Sequence, residues 1–147
     1  MIALDFSGIE LKLKHENGKG YVFDPVRKGW FVLTPEEHVR QHLVYYLTGV
    51  LQYPLGMLAV EKKIMVGKMP KRFDIVVYDR EHDPWMLIEC KAPEVAITEK
   101  ALHQLLNYQR TIKCRYWVLG NGRQLYCADG GNIEKIEWLN ALPAYSL

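Results

Sequence analysis

Apolar and polar residues alternate along several short segments of the chain, and this period of two predicts β-strands. The segment "IELKLKHENGKGYVF" alternates around an Asn-Gly pair and predicts an N-terminal β-hairpin, and "WFVLT" predicts a short strand after the next turn. Farther along, "MLAVEKKIMVG", "KRFDIVVYD" and "WMLIECK" predict three strands rich in branched residues. The segment "CRYWVLGNGRQLYCAD" predicts a second hairpin with a turn at Asn121 and Gly122.

Two other segments have the spacing of amphipathic helices. The first begins with Thr34 as N-cap and Pro35 at the first helical position, and Glu37 completes a capping box. This helix is predicted to extend to about Leu51, with an apolar stripe formed by Val39, Leu43, Tyr46, Leu47 and Val50. The second helix is predicted over Thr98–Thr111, with its first residue as the cap and a buried side formed by Ala101, Leu102, Leu105, Leu106 and Tyr108.

The elements follow the order helix, three strands, helix and strand, with extra strands at both ends. This order predicts an α/β (α+β) fold in which helices flank a mixed sheet, with the β-hairpin at the N-terminus. The tail "NIEKIEWLNALPAYSL" gives no clear prediction. With 147 residues, 49% of them hydrophobic and 24% charged, the chain is most simply one domain, 1–147, with a core at about 34–128.

Composition says more about the environment of the protein than about its function. The formal net charge of +2 is too small to indicate a polyanionic partner. One local basic cluster is interpreted as a solvated rim of loop and strand, and it consists of Lys62, Lys63, Lys68, Lys71 and Arg72. Three cysteines without CxxC spacing indicate reduced, buried thiols. The region 44–60 is too interrupted for a membrane span and the start lacks a signal-peptide pattern, so a cytoplasmic protein is expected.

The stretch "MLIECKAP" places a carboxylate and an amine at the end of an apolar strand. Glu89 and Lys91 are two residues apart and therefore lie on the same face. A short turn pairs this strand antiparallel with "FDIVVY", and pairing of Tyr78 with Trp85 places Asp74 directly opposite Glu89. Facing carboxylates repel each other, and Mg²⁺ prefers such oxygen donors. The pattern predicts a metal site with a lysine beside it; the alternative is an ion pair at an exposed strand edge.

The ordered motifs resemble those of the PD-(D/E)xK nuclease superfamily. The segments "RFD" and "IECK" correspond to its two central motifs, with Phe73 in the place of the proline before Asp74. The closest likeness is to the N-terminal nuclease domain of type I restriction enzyme R subunits. "TPEEHVRQHLV" resembles the first helix of that family, "KAP" follows the motif lysine, and "QLLNY" fits a QxxxY element. The resemblance covers about 23–127 and implies a restriction-endonuclease-like core.

This resemblance implies a metal-dependent deoxyribonuclease, either an endonuclease or an exonuclease, that acts on DNA in restriction or a repair-like process. The implied ligands of Mg²⁺ or Mn²⁺ are Glu37, Asp74, Glu89 and the backbone carbonyl of Cys90. Lys91 corresponds to the catalytic lysine. Gln104 and Tyr108, one helical turn apart, correspond to residues near the metal and the DNA backbone.

Members of the R-subunit family carry a motor after the nuclease domain. This chain is therefore expected to act as a free nuclease or with a helicase or translocase in trans. Two alternatives stay open. One is a catalytically silent module that binds nucleic acid or a partner protein on the same fold. The other is an assembly role in which the N-terminal hairpin pairs between subunits, as in a homodimer.

Other candidate sites carry less weight. His38 and His42 have a helical i, i+4 spacing suited to zinc, but no third ligand is evident. Arg40 follows Glu37 by three residues and either pairs with it or contacts a phosphate. The tryptophans offer base-stacking surfaces, although their apolar segments favour packing; they are Trp30, Trp85, Trp117 and Trp138.

Overall fold

The computed structural model describes residues 1–132 and 134–145. The first three strands are β1 Leu13–Glu16, β2 Lys19–Asp24 and β3 Gly29–Val32. The next strands are β4 Leu58–Val66, β5 Met69–Tyr78, β6 Pro84–Cys90, β7 Tyr116–Gly120, β8 Leu125–Asp129 and β9 Glu137–Trp138. The helices are α1 Pro35–Tyr45, continued by a π-helical segment Tyr46–Val50, and α2 Glu99–Asn107; short 3₁₀ turns span Leu55–Met57 and Tyr108–Arg110.

The strands form two sheets. β1, β2 and β3 make an antiparallel meander whose first turn, at Asn17 and Gly18, has φ values of 52° and 77°, as a type I′ hairpin turn requires. β4 to β9 make a six-stranded sheet in chain order. Its neighbours are antiparallel except β6 and β7, which are parallel because α2 crosses between them. The predicted mixed sheet and order of elements are confirmed, and β3 extends the N-terminal hairpin to three strands.

Apolar side chains cover both faces of the six-stranded sheet. The cluster on the α1 side includes Val39, Leu43, Leu47, Ile75 and Ile88. The cluster on the α2 side includes Phe73, Leu87, Leu105 and Trp117. Burial of each such side chain stabilises the fold by roughly 1.5–3 kcal/mol. These two clusters fix both helices against the sheet and thereby position the charged residues that the helices carry.

Threonine caps start both helices, as predicted. Thr34 Oγ1 accepts a hydrogen bond from Glu37 N at 3.0 Å, and Thr98 Oγ1 accepts one from Ala101 N at 3.1 Å. The predicted capping box is wrong in its second half, because the Glu37 carboxylate does not return to Thr34. It binds arginine side chains instead, and charged donors bind a carboxylate more strongly than a backbone N–H does.

The end of the first helix also differs from the prediction. Val50 was expected in the apolar stripe, but it is 54% exposed. The wider turns of the π-helical segment Tyr46–Val50 rotate its last residue away from the core. In the tail, β9 pairs with β8 and Leu142 is buried. None of the described helices is long and apolar enough to cross a membrane.

Candidate active site

The centre of the site is the point where β5 and β6 separate. Their backbone ladder ends at the pair Ile75–Ile88. Beyond it, the Asp74 N–H donates to Glu89 Oε1 at 3.3 Å, and the Cys90 N–H donates to Asp74 Oδ2 at 2.7 Å. Buried N–H groups require acceptors, so the two carboxylates replace the missing ladder bonds. The structure thus brings Asp74 and Glu89 together at this fork.

The register that leads to the fork is the predicted one, because Ile75 pairs with Ile88 and Val77 with Met86, and the same register continued places Asp74 opposite Glu89. Tyr78 pairs with Pro84 and not with Trp85, so this pairing was wrong. A bulge between Val77 and Tyr78 makes Trp85 the extra residue of β6, so the register is shifted only at the end of the ladder next to the turn. The part of the ladder that leads to Asp74 and Glu89 is unaffected.

A buried arginine on α1 joins the acids. Arg40 Nη1 donates to Glu37 Oε1 at 2.7 Å. Its Nη2 donates to Glu61 Oε1 at 2.5 Å and to Asp74 Oδ1 at 2.6 Å. Only 8% of the Arg40 side chain is exposed, so water screens these pairs weakly. The sequence left open whether Arg40 pairs with Glu37 or contacts a phosphate; it pairs with Glu37 and also with two acids from the strands.

Glu61 reaches Arg40 through an unusual backbone conformation. It lies in β4 between Val60, which pairs with Ile75, and Lys62, and its φ is 58°. Val60 belongs to the core on the α1 side, so strict alternation would turn Glu61 to the opposite face. The left-handed conformation costs a non-glycine residue roughly 1–2 kcal/mol and is found preferentially at functional sites. Here it turns the Glu61 carboxylate back toward α1.

Glu37 connects the site to the three-stranded sheet. Arg27, in the turn between β2 and β3, donates from Nη2 to Glu37 Oε1 at 2.6 Å and from Nε to Asp24 Oδ2 at 2.6 Å. The Arg27 guanidinium also stacks 3.4 Å from the centroid of the Phe31 ring. Gln41 Nε2 donates to the second Glu37 oxygen at 3.1 Å. Both sheets therefore contribute to the surroundings of one carboxylate.

A pocket of about 120 Å³ lies beside Glu89. It is lined by Lys71, Glu89, Lys91, Ala101, Gln104, Leu105, Tyr108 and Leu119. Four residues named from the sequence therefore share this pocket: Glu89, Lys91, Gln104 and Tyr108. Two further side chains named from the sequence, those of Glu37 and Asp74, are joined to each other by Arg40.

Lys71, in β5, lines the same pocket and pairs with Glu89. Its Nζ lies 3.2 Å from Glu89 Oε2. The same ammonium lies 5.1 Å from the centroid of the Phe73 ring and 5.7 Å from that of Tyr108. Lys71 therefore pairs with Glu89 and lies beside two aromatic rings.

Burial changes the protonation chemistry at the fork. It raises the pKa of Glu89 above its ordinary value, and the charge of Asp74 raises it further, whereas Lys71 lowers it. An additional cation near Glu89 would stabilise its ionised form. The neighbouring thiol has a different environment: Cys90 is 4% exposed and burial raises its pKa, so it packs in the core and does not serve as a nucleophile.

The donors at the fork fit a hard divalent cation in chemistry, but protein cations pair with them. Arg40 and Lys71 bind the oxygens that a metal would use. Within 1–132 and 134–145, no group of three or more His, Cys, Asp or Glu side chains is arranged to hold a metal ion. In the same part of the chain, two buried polar atoms lack a hydrogen-bond partner. They are Arg40 Nε and Gln41 Oε1, and both belong to residues that contact Glu37. The hydrogen bonding of this cluster is therefore incomplete.

Sequence reasoning missed part of this charged network. Lys71 was interpreted as part of a solvated rim, which is wrong because it is only partly exposed and pairs with Glu89; Arg72 is exposed as interpreted, with its Nη1 at 3.3 Å from Glu61 Oε2. A signal for Glu61 was present in the β4–β5 hairpin. If the residues of β4 and β5 are paired one by one outward from the turn at Gly67, Glu61 falls opposite Asp74.

Comparison with solved structures defines the class of fold. The chain is similar to a protein from Anabaena variabilis ATCC 29413, described as a candidate nuclease belonging to DUF820, in a crystal structure at 1.96 Å resolution. The TM-score is 0.50 and the identity 13%, and the match covers 88% of this chain and 76% of that one. At this identity the likeness concerns the fold alone, which is nuclease-like.

Comparison with family models is more specific. The model described as "Type I restriction enzyme R protein N terminus (HSDR_N)" matches residues 35–143, which is most of the chain. The chain therefore belongs to this family, and the resemblance to restriction-endonuclease-like PD-(D/E)xK nucleases is confirmed. No curated protein matches the chain.

Proposed function

We propose that this protein is a metal-dependent deoxyribonuclease that hydrolyses phosphodiester bonds of DNA in restriction or a repair-like process, alone or with a helicase or translocase in trans. The observation that supports the proposal most is the strand fork. It holds Asp74 and Glu89 side by side, and Lys91 shares a pocket with Glu89. Membership of the R-subunit N-terminal family supports DNA as the substrate.

The pocket residues suit the handling of a phosphodiester. The Lys91 amine would orient or help to deprotonate the attacking water, or stabilise charge that develops on the phosphate. Gln104 and Tyr108 line the same pocket from α2 and its 3₁₀ extension, and they would hold the DNA backbone there. Lys71 would exchange its contact with Glu89 for a phosphate oxygen when DNA enters.

The proposal includes Mg²⁺ or Mn²⁺, held by carboxylates of the fork. The proposed ligands are Asp74, Glu89, Glu37 and the backbone carbonyl of Cys90. When bound, such an ion supplies a Lewis acid and lowers the pKa of a water molecule. For Asp74 to become a ligand, Arg40 has to release Asp74 Oδ1, and its contacts with Glu37 and Glu61 would retain the guanidinium.

The test is cleavage of plasmid, linear duplex and single-stranded DNA by the purified chain with Mg²⁺ or Mn²⁺. Lys91→Ala should reduce the rate at least about hundredfold, because a positioned acid–base group contributes that much. Lys135→Ala is the matched control, since Lys135 is exposed and does not line the pocket. Circular dichroism should show that both variants fold. Undiminished cleavage by Lys91→Ala would assign the activity to a contaminant.

A second candidate function is a module that binds nucleic acid or a partner protein without cutting. One observation favours it: Asp74 Oδ1 and Glu89 Oε2 already pair with Arg40 and Lys71, so the site is neutralised without a metal. Salt-dependent DNA binding, with no metal-dependent cleavage of any of the three substrates, would support this function over the nuclease.

A further inference from the structure

We propose that the outer face of the three-stranded sheet binds single-stranded nucleic acid. The face is formed by Lys12, Lys14, Tyr21, Phe23, Trp30 and Val32 and is called the aromatic face below. The inference rests on the proposed function, because it assumes that the substrate is a nucleic acid. It adds which form of nucleic acid is engaged and by which surface.

The alternation of side chains along β2 identifies the exposed side of the sheet. Val22 and Asp24 are 0% exposed, so the rest of the protein covers their side. Tyr21 and Phe23 point the other way and are partly exposed. Across the strand pair, Phe23 faces Trp30, and Tyr21 faces Val32, which is 48% exposed. The aromatic rings therefore form a surface open to solvent.

Lysines lie directly over these rings. The Trp30 ring has Lys14 Nζ at 4.6 Å and Lys12 Nζ at 5.6 Å from its centroid. Lys12 Nζ also lies 4.9 Å from the centroid of Phe23, and Lys14 Nζ lies 5.9 Å from that of Tyr21. Trp30 and Phe23 meet edge to face, with centroids 5.5 Å apart. Two ammonium groups and a π-surface thus occupy one patch.

This combination matches the chemistry of an unpaired strand. Bases stack on aromatic rings, and lysines released from those rings neutralise the phosphates between the bases. A duplex keeps its base faces stacked internally and could use only the lysines. Lys14 also pairs with Glu16 at 3.2 Å, but both side chains are exposed and the pair can open at little cost. Single-stranded nucleic acid is therefore the occupant that uses the whole aromatic face.

The aromatic face is connected to the site through few residues. Phe23 is followed by Asp24, whose carboxylate binds Arg27, and Arg27 binds Glu37. The Asp24 side chain lies on the covered side of the sheet, so this connection passes through the sheet and not along the aromatic face.

The experiment is fluorescence anisotropy of a labelled oligothymidylate, and of a duplex of equal length, titrated with the full chain in EDTA. Trp30→Ala should weaken single-strand binding about tenfold, as the loss of a stacking residue does. Trp138→Ala is the matched control, because Trp138 is 47% exposed but lies in β9 of the other sheet. It should bind as the unmodified chain does. The double variant Lys12→Ala/Lys14→Ala should reduce the salt dependence of binding.

If Trp30→Ala does not fold, two other variants provide the test. Trp30→Tyr keeps an aromatic ring and should retain single-strand binding. The double lysine variant keeps the rings but loses the phosphate contacts, so it should bind the oligothymidylate more weakly. The inference is overturned if the oligothymidylate does not bind, if the duplex binds as tightly, or if Trp30→Ala and Trp138→Ala behave alike. Without metal no cleavage step is involved, so the result is independent of the Lys91→Ala assay. A chain that cleaves DNA but shows no Trp30-dependent binding refutes this inference alone.

Discussion

At the scale of single residues, the site is a network in which protein cations compensate clustered acids. Arg40 is its central member, because one guanidinium contacts Glu37, Glu61 and Asp74. Although burial lowers its pKa, the hydrogen bond to Asp74 and the nearby acids raise it above the ordinary value, so Arg40 stays charged. Without Arg40, three carboxylates would share a largely buried space without their common counter-ion.

Arg40→Gln is accordingly expected to reduce the free energy of unfolding by about 3 kcal/mol, because removal of one partner leaves buried charges uncompensated. Urea unfolding without metal measures the loss. Arg115→Gln is the control: Arg115 pairs with Asp129 at 3.3 Å, but its side chain is 56% exposed, so a loss below about 1 kcal/mol is expected. Equal losses in the two variants would contradict a central role for Arg40.

Glu89 provides a prediction that depends on pH. Because its pKa is raised in the folded protein, the ionised form opposes folding; this cost is absent below the ordinary value of 4.5 and complete above the folded pKa. Glu89→Gln should therefore raise the melting temperature at pH 7 in the absence of metal, and the gain should vanish as the pH falls toward 4. Thermal unfolding from pH 4 to 8 checks this, with exposed Glu94→Gln as control. A variant less stable than the original at pH 7 would contradict the sign.

The residues that could be predicted from the sequence are those that obey a simple period. Asp74, Glu89 and Lys91 follow strand alternation, and the structure places them around the fork and its pocket. Glu61 breaks alternation through its φ of 58°, so no period of two could direct it toward Arg40. A left-handed residue inside a strand has no signature when it is a glutamate.

At the scale of elements, local signals predicted most of the fold. Threonine caps marked both helix starts, and the Asn-Gly pairs marked the hairpin turns at Asn17 and Asn121. The predictions failed where an element changes its own geometry: at the π-helical segment Tyr46–Val50 and at the bulge beside Tyr78. Both changes depend on tertiary packing, which sequence periodicity does not report.

The cap of α1 supports a testable prediction. Thr34→Ala removes the acceptor for the Glu37 N–H and should reduce the free energy of unfolding by about 1 kcal/mol. Thr34→Ser keeps the hydroxyl and should retain most of the stability. Urea unfolding of both variants measures the difference. If Thr34→Ala were as stable as Thr34→Ser, the cap would not stabilise the helix that carries Glu37 and Arg40.

At the scale of the whole molecule, two sheets meet at one acidic centre. The six-stranded sheet supplies Asp74 and Glu89 at a strand fork, and the three-stranded sheet reaches Glu37 through Arg27. The family match begins at residue 35, so the three-stranded sheet precedes the matched region. The aromatic face therefore lies outside the family match, whereas the structural likeness to the nuclease-like fold covers 88% of the chain and extends beyond that match.

The central claim is that the fork between β5 and β6 binds a divalent cation. Calorimetric titration of Mn²⁺ into the unmodified chain, Asp74→Asn and the control Asp83→Asn tests it most directly, since Asp83 is exposed in the turn before β6. We expect binding by the unmodified chain and by Asp83→Asn, and none by Asp74→Asn. No binding by the unmodified chain, or equal binding by all three proteins, would contradict the claim.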